Sequence, residues 1–198
     1  MTRNVYVFRH GETDWNAERR LQGHSDVKLN AAGREQARDL AKLLRPLDLP
    51  AVLCSDLSRA AETARIVFSD APELIQYKRE LREAYLGKLQ GTLRSEYERV
   101  HGKEQFSRWL SVKDEDQDFC FPGGETKLQH LARVRTCLES YLAVHDFARI
   151  GVCTHGGTIR RFVHFVRGSG AEPVSIANCA VYHLKYDGVR WAYVGKLS

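Results

Sequence analysis

The sequence predicts an α/β domain built on a mostly parallel sheet, and three observations carry that expectation. Short apolar runs, Val5–Phe8, Ala51–Cys54 and Ile150–Cys153, are each followed by a segment with helical apolar spacing. Each run gives way to a polar cluster rich in Arg, His, Ser or Gly. The resulting order of strand, helix, strand, helix is the pattern of a parallel sheet covered by helices.

Taken along the chain, Val5-Tyr6-Val7-Phe8 reads as the first buried strand. Asn30 suits a helix N-cap, and Ala37, Leu40, Ala41 and Leu44 then recur at i, i+3, i+4 and i+7 until Pro46 stops the helix. Ala51–Cys54 is the second strand, and Leu57, Ala60, Ala61, Ala64 and Val67 trace a second helix. The stretch from about Ala84 to Gly124 breaks the alternation. With its acidic run Asp114-Glu115-Asp116 and its Phe121-Pro122-Gly123-Gly124, it reads as an insertion over the site, partly helical around Tyr97–Trp109. Leu128, Leu131, Leu138, Tyr141 and Leu142 mark a longer helix. Ile150–Cys153 is the third strand, followed by a helix with Ile159, Phe162, Val163 and Val166 inward. Ala180–Leu184 and Trp191–Val194, around Asp187-Gly188, read as a β-hairpin, a candidate sheet edge or homodimer contact. With no linker and no repeat, the 198 residues are expected to form one domain, 1–198, carrying the insertion at about 84–124.

Composition narrows the function. Net charge is +5, yet basic and acidic residues interleave, as in Arg94–Arg99, and no run of five Lys or Arg occurs. A small anionic ligand explains this better than nucleic acid, which is not expected as a partner. The five cysteines, Cys54, Cys120, Cys137, Cys153 and Cys179, form no CxxC pair, so neither a disulfide framework nor a zinc ribbon is indicated. His10, His155 and Cys153 lack the spacing of a metal motif such as HExxH, and no metal or other cofactor is expected. Val5–Phe8 is too short for a signal-peptide core, and no stretch approaches a membrane span. A cytoplasmic protein without membrane association is the expectation.

The polar clusters point to phosphate. The first strand is followed by Arg9-His10-Gly11-Glu12-Thr13, the second by Ser55-Asp56-Leu57-Ser58-Arg59, and the third by Thr154-His155-Gly156-Gly157. Two histidines and two arginines thus leave one edge of one sheet, where ligands of parallel sheets bind. Guanidinium forks match phosphate oxygens, so Arg9 and Arg59 suit a clamp. Gly11 and Gly156 allow close backbone approach, and helix N-termini add free N–H groups. A neutral imidazole can attack phosphorus and form a phosphohistidine. His10 suits that role if a backbone carbonyl holds Nδ1–H and aims Nε2, while His155 would bond an equatorial oxygen and stabilise transition-state charge. Glu83 is the candidate acid, because a carboxyl beside a phosphate dianion tends to keep its proton.

These residues resemble the histidine phosphatase superfamily in its phosphoglycerate-mutase-like branch. The likeness rests on Arg9-His10-Gly11-Glu12-Thr13-Asp14-Trp15-Asn16, Gln22-Gly23 with Asp26, Leu29 and Gly33, Ser55–Ala60 with Glu62-Thr63, Leu81-Arg82-Glu83 with Gly87 and Gly91, Pro122–Glu125, and Thr154–Gly157. It implies a three-layer αβα sandwich, phosphorylation on His10, phosphate contacts from Arg9, Arg59 and His155, and Glu83 as proton donor, without a metal. Asn16, Gln22 and Gly23 are implied as substrate contacts. Mutases of this kind are longer, carry Arg-His-Tyr-Gly after the acid and an Arg-Arg pair in the insertion. Here Ala84-Tyr85-Leu86-Gly87 and the single Arg108 stand instead. The favoured expectation is therefore a phosphatase acting on a small phosphorylated metabolite, with a phosphoglycerate mutase and a non-catalytic phosphate-binding module as alternatives.

Plainer readings compete at several positions. Glu83 could pair with Arg79 or Arg82. His24 could touch substrate or solvent, and Arg20 could border the pocket. Lys88, Arg94 and Arg108 could contact an anionic substrate or lie in solvent. His101, His130, His145, His164 and His183 belong to no motif.

Overall fold

The computed structural model describes residues 1–198 apart from 169 and 173. Its elements run β1 (Arg3–Arg9), α1 (Asp14–Ala17), α2 (Ala31–Leu44), β2 (Val52–Ser55), α3 (Ser58–Val67), β3 (Ile75–Lys78), α4 (Arg94–His101), α5 (Glu104–Leu110), α6 (Lys127–Val144), β4 (Arg149–Thr154), α7 (Gly156–Arg167), β5 (Val181–Tyr186) and β6 (Trp191–Lys196). The sheet order is β3-β2-β4-β1-β5-β6. β1 to β4 are mutually parallel, and β5 and β6 add an antiparallel hairpin beside β1.

Strand alternation sends side chains to two cores. Val5 and Val7 of β1, Leu53 of β2, and Ile150 and Val152 of β4 join Val134, Leu138 and Leu142 of α6 and Ile159, Phe162 and Val163 of α7. Phe8, Val52, Cys54 and Cys153 point the other way, against Leu40, Ala41 and Leu44 of α2 and Ala60, Ala64 and Val67 of α3. The result is an αβα sandwich with a largely parallel central sheet. Each fully buried Leu, Ile, Val or Phe contributes about 1.5–3 kcal/mol of apolar transfer energy.

The local signals read from the sequence have visible causes. Asn30 caps α2 by accepting the Gly33 N–H at 2.8 Å. Pro46 sits in the first turn of the 3-10 segment Arg45–Leu47, just beyond the end of α2. β3 was not expected, because Ile75-Gln76-Tyr77-Lys78 has no apolar run and lies at the sheet edge. In α6 the expectation that Leu128 faces inward fails, since it is exposed while Lys127 and His130 are buried. The first turn of α6 meets polar insertion backbone, and Lys127 donates Nζ–H to the carbonyls of Arg108 (2.9 Å) and Ser111 (2.6 Å).

The segment 84–124 builds a small core of its own from Ala84, Leu86, Leu89, Tyr97, Phe106 and Phe121. Among the described residues, no helix is long and apolar enough to cross a membrane.

Candidate active site

β2, β4 and β1 are adjacent, and their register pairs Cys54 with Cys153 and Arg9 with Thr154. Their C-terminal ends therefore finish level. The helices after β1 and β2 cover one face of the sheet and the helix after β4 covers the other, which opens a crevice at the strand ends. A pocket of about 200 Å³ lies there. Its wall includes Arg9, His10, Asn16, Gln22, Gly23, Arg59, Glu83 and Gly156, eight of the residues singled out from sequence.

His10 is buried, and its Nδ1 lies 2.6 Å from the Gly11 carbonyl oxygen. A carbonyl only accepts, so Nδ1 carries the proton and Nε2 keeps its lone pair. Burial, Arg59 and Arg9 push the His10 pKa well below its ordinary value, against the opposing pull of the Gly11 carbonyl. The ring is therefore neutral and nucleophilic at physiological pH.

Arg59 is 1% exposed in the first turn of α3. It donates Nη1–H to the Ser25 carbonyl and Nη2–H to the Gly23 carbonyl, both at 2.8 Å. Burial lowers its pKa to about 10, which leaves it charged. Arg9 donates Nη1–H to the Ile176 carbonyl at 2.7 Å, while its buried Nε has no partner among the described residues. Gly156 leaves that group room, since a Cβ there would sit 3.1 Å from Arg9 Nε.

Glu83 pairs with neither Arg79 nor Arg82; Arg82 binds Asp56 at 2.6 Å instead. The Glu83 carboxylate accepts the Gly157 N–H at 2.8 Å, the Ala84 N–H at 2.9 Å and the Thr158 hydroxyl at 3.3 Å. His24 reaches neither substrate space nor bulk solvent alone: it donates Nε2–H to the Glu83 carbonyl at 2.8 Å. Asn16 closes a capping box with Thr13 at the start of α1, and Gln22 donates to the Thr13 hydroxyl at 2.9 Å. Gly23 adopts φ +53°, which favours glycine.

Two of the expected contacts stand off the pocket wall. Gly11 is packed against the start of α2, where a Cβ would overlap the Gly33 carbonyl, so its bare Cα serves chain packing. His155 is fully buried. Its Nδ1 accepts the Arg59 Nε–H at 3.2 Å, and its Nε2 lies 2.8 Å from Ser55 Oγ. Both ring nitrogens are thus engaged by protein, and the ring centroid lies 5.1 Å from that of His10. Lys88 and Arg94 are exposed, and Arg108 pairs with Asp116 at 2.9 Å; none lines the pocket.

The pocket also takes Arg20, Trp109, Gly157 and Arg160. Arg20 was foreseen at the border. Trp109 and Arg160 were not, because reaching the site depends on how the insertion and α7 fold. His130 was also missed: its Nε2 lies 3.0 Å from Thr158 Oγ1, the hydroxyl that contacts Glu83. Among the described residues, no cluster of three or more His, Cys, Asp or Glu could hold a metal ion.

The model of the histidine phosphatase superfamily (branch 1) matches residues 5–196. The chain belongs to this family. The histidine phosphatase is 39% identical over 191 residues to phosphoglycerate mutase-like protein 4 of Arabidopsis thaliana, covering 94% of this chain and 81% of that protein. It superposes on a mycobacterial glucosyl-3-phosphoglycerate phosphatase with a TM-score of 0.87 at 23% identity, over 98% of both chains. A putative alpha-ribazole-5'-P phosphatase of Escherichia coli K-12 gives a TM-score of 0.83 at 26% identity, over 99% of this chain and 96% of that one. As a member of this family, the chain is a phosphomonoesterase type of enzyme.

Proposed function

We propose that hydrolysis proceeds in two displacements through a phosphohistidine on His10. Nε2 attacks phosphorus, the N–P bond forms, and the ester P–O bond breaks. Glu83 gives its proton to the departing oxygen. The Glu83 carboxylate then takes a proton from water, the water oxygen bonds to phosphorus, and the N–P bond breaks, releasing inorganic phosphate. Arg9 and Arg59 hold the non-bridging oxygens, and Asn16, Gln22, Gly23 and Gly156 complete the cradle. His155 aims Arg59 from behind. The segment 84–124 contributes the specificity wall within a single domain.

One observation carries this reading: the Gly11 carbonyl accepts the Nδ1–H of His10, so the remaining nitrogen belongs to a ring on a wall of guanidiniums where, among the described residues, Glu83 is the one acidic residue. Such preorganised positive charge suits a transition state with negative charge spread over phosphoryl oxygens.

Because a relative carries a phosphoglycerate-mutase-like name, 3-phosphoglycerate is the discriminating substrate. Incubation with it, alongside other small phosphate monoesters, is expected to release phosphate without isomer. Rapid isomerisation with little free phosphate would overturn water as the acceptor.

A further inference from the structure

A guanidinium withdrawn from solvent needs a counter-charge. Most partly buried arginines of this chain have one: Arg20 pairs with Glu18, Arg34 is set against Glu62, Arg82 with Asp56, Arg133 with Glu125 and Arg135 with Glu139. Arg9, Arg59, Arg160 and Arg161 are withdrawn from solvent, and no ion pair is formed by them among the described residues. Arg9 and Arg59 face the phosphoryl end of the pocket. The other two are consecutive residues of α7 with no role in the steps above.

Arg160 lines both the phosphoryl pocket and a narrow cleft beside it, between α7 and the insertion. Its Nε–H reaches the Val174 carbonyl at 3.3 Å, and its terminal nitrogens have no partner among the described residues. Arg161 lines the cleft, with its guanidinium 4.7 Å from the centroid of the Trp109 ring and its buried Nε without a partner among the described residues. Ser111, Gln117 and His164 complete the polar lining. Lys127 adds positive charge nearby: burial, with Arg161 as a further cause, lowers its pKa to about 8. The pocket wall that Arg160 shares also carries the apolar side chains of Leu21, Leu86 and Trp109.

We infer that Arg160, backed by Arg161, binds a second anionic group of the substrate. The substrate is then a short phosphate monoester whose far end bears a carboxylate or a second phosphate, with a carbon spacer against Leu21, Leu86 and Trp109. The cleft, at about 20 Å³, admits a water or one anion oxygen. Arg160 therefore makes the direct contact at the mouth, and Arg161 acts through its charge and its hold on Trp109. This rests on the phosphatase reading.

The test compares three substrates: 3-phosphoglycerate, propane-1,3-diol bisphosphate and glycerol 3-phosphate. The first two separate a carboxylate from a phosphate end, and the third lacks the second charge. We expect kcat/KM for one or both doubly anionic esters to exceed that for glycerol 3-phosphate by about tenfold or more, the size of a charge-assisted contact. Arg160→Ala should bring the ratio near unity through KM, Arg160→Lys should keep part of it, and Arg161→Met, which keeps an apolar stem against Trp109, should lower it several-fold. A wild-type ratio near unity, or an equal loss on all three esters in Arg160→Ala, overturns the inference. If no ester is hydrolysed, the phosphatase reading fails instead. Calorimetric titration with the same three ligands then reads the subsite alone: tighter binding of a doubly anionic ester that Arg160→Ala removes supports it, and equal affinities overturn it.

Discussion

Arg133 donates Nη2–H to the main-chain carbonyl of Glu83 at 2.8 Å. The same guanidinium reaches the carbonyls of Glu80 (2.6 Å) and Arg82 (2.9 Å) and is itself fixed by the Glu125 carboxylate. One α6 side chain thus sets the backbone from which the proposed acid projects. Lysine has neither the planar fork nor the donor number to replace it. Arg133→Lys is expected to lower kcat on alkyl phosphates by about tenfold while sparing activated aryl phosphates, because displacing Glu83 matters only where the leaving group needs a proton. Equal losses on both classes in a folded variant would make Arg133 merely structural.

Glu83→Gln should show the same selectivity more strongly. The amide can still accept the Gly157 N–H, whose distance is 2.8 Å in the native site, but it cannot donate a proton to an alkoxide. A loss of about 10²–10⁴ on alkyl esters with a small loss on p-nitrophenyl phosphate is expected. A steady-state series over leaving-group pKa checks this: wild type should be nearly flat and the variant steep.

Gly11→Ala tests the packing reading of that residue. The new methyl would enter the Gly33 carbonyl of the α2 start, where only backbone could yield. Loss of more than about 2 kcal/mol of stability, or failure to fold, is expected from overpacking of this kind. A variant with native urea midpoint and impaired phosphate binding would instead restore Gly11 to the ligand site.

Three buried histidines make stability depend on pH. His10, His130 and His155 all have pKa values held well below 6.5, chiefly by burial, with the neighbouring arginines adding to it. Below pH 6.5 the unfolded chain binds protons at these positions that the folded chain refuses, so stability falls as pH falls toward the depressed folded values. Each histidine adds a slope of up to about 1.4 kcal/mol per pH unit. Urea midpoints should drop between pH 7.5 and 5.5, and His130→Gln should flatten that drop. A pH-independent midpoint would contradict the burial argument.

The sheet core and most of the site were legible because both rest on local pattern. Apolar runs marked β1, β2 and β4, and whatever followed each run had to emerge at one edge. That logic delivered Arg9, His10 and Arg59 to the pocket. It could not reveal that His155, though leaving the same edge, is turned against Ser55 and Arg59. The choice of its partners is a matter of side-chain geometry 96 to 100 residues away in sequence. β3 escaped because an edge strand of Ile75, Gln76, Tyr77 and Lys78 offers no apolar run. α1 escaped because four residues are too few for helical periodicity, although Thr13 and Asn16 form its capping box. Trp109, Arg160 and Arg161 depend on how the insertion meets α7, a contact that no periodicity encodes.

The central claim is most directly tested by trapping the intermediate. Protein mixed with a phosphate monoester and quenched in alkali within one turnover should carry a single phosphoryl group that is stable to base and labile to acid, mapped by peptide mass spectrometry to His10 and absent from His10→Ala. Labelling that persists in His10→Ala, or full turnover with no labelled peptide in wild type, would contradict a histidine nucleophile at this site.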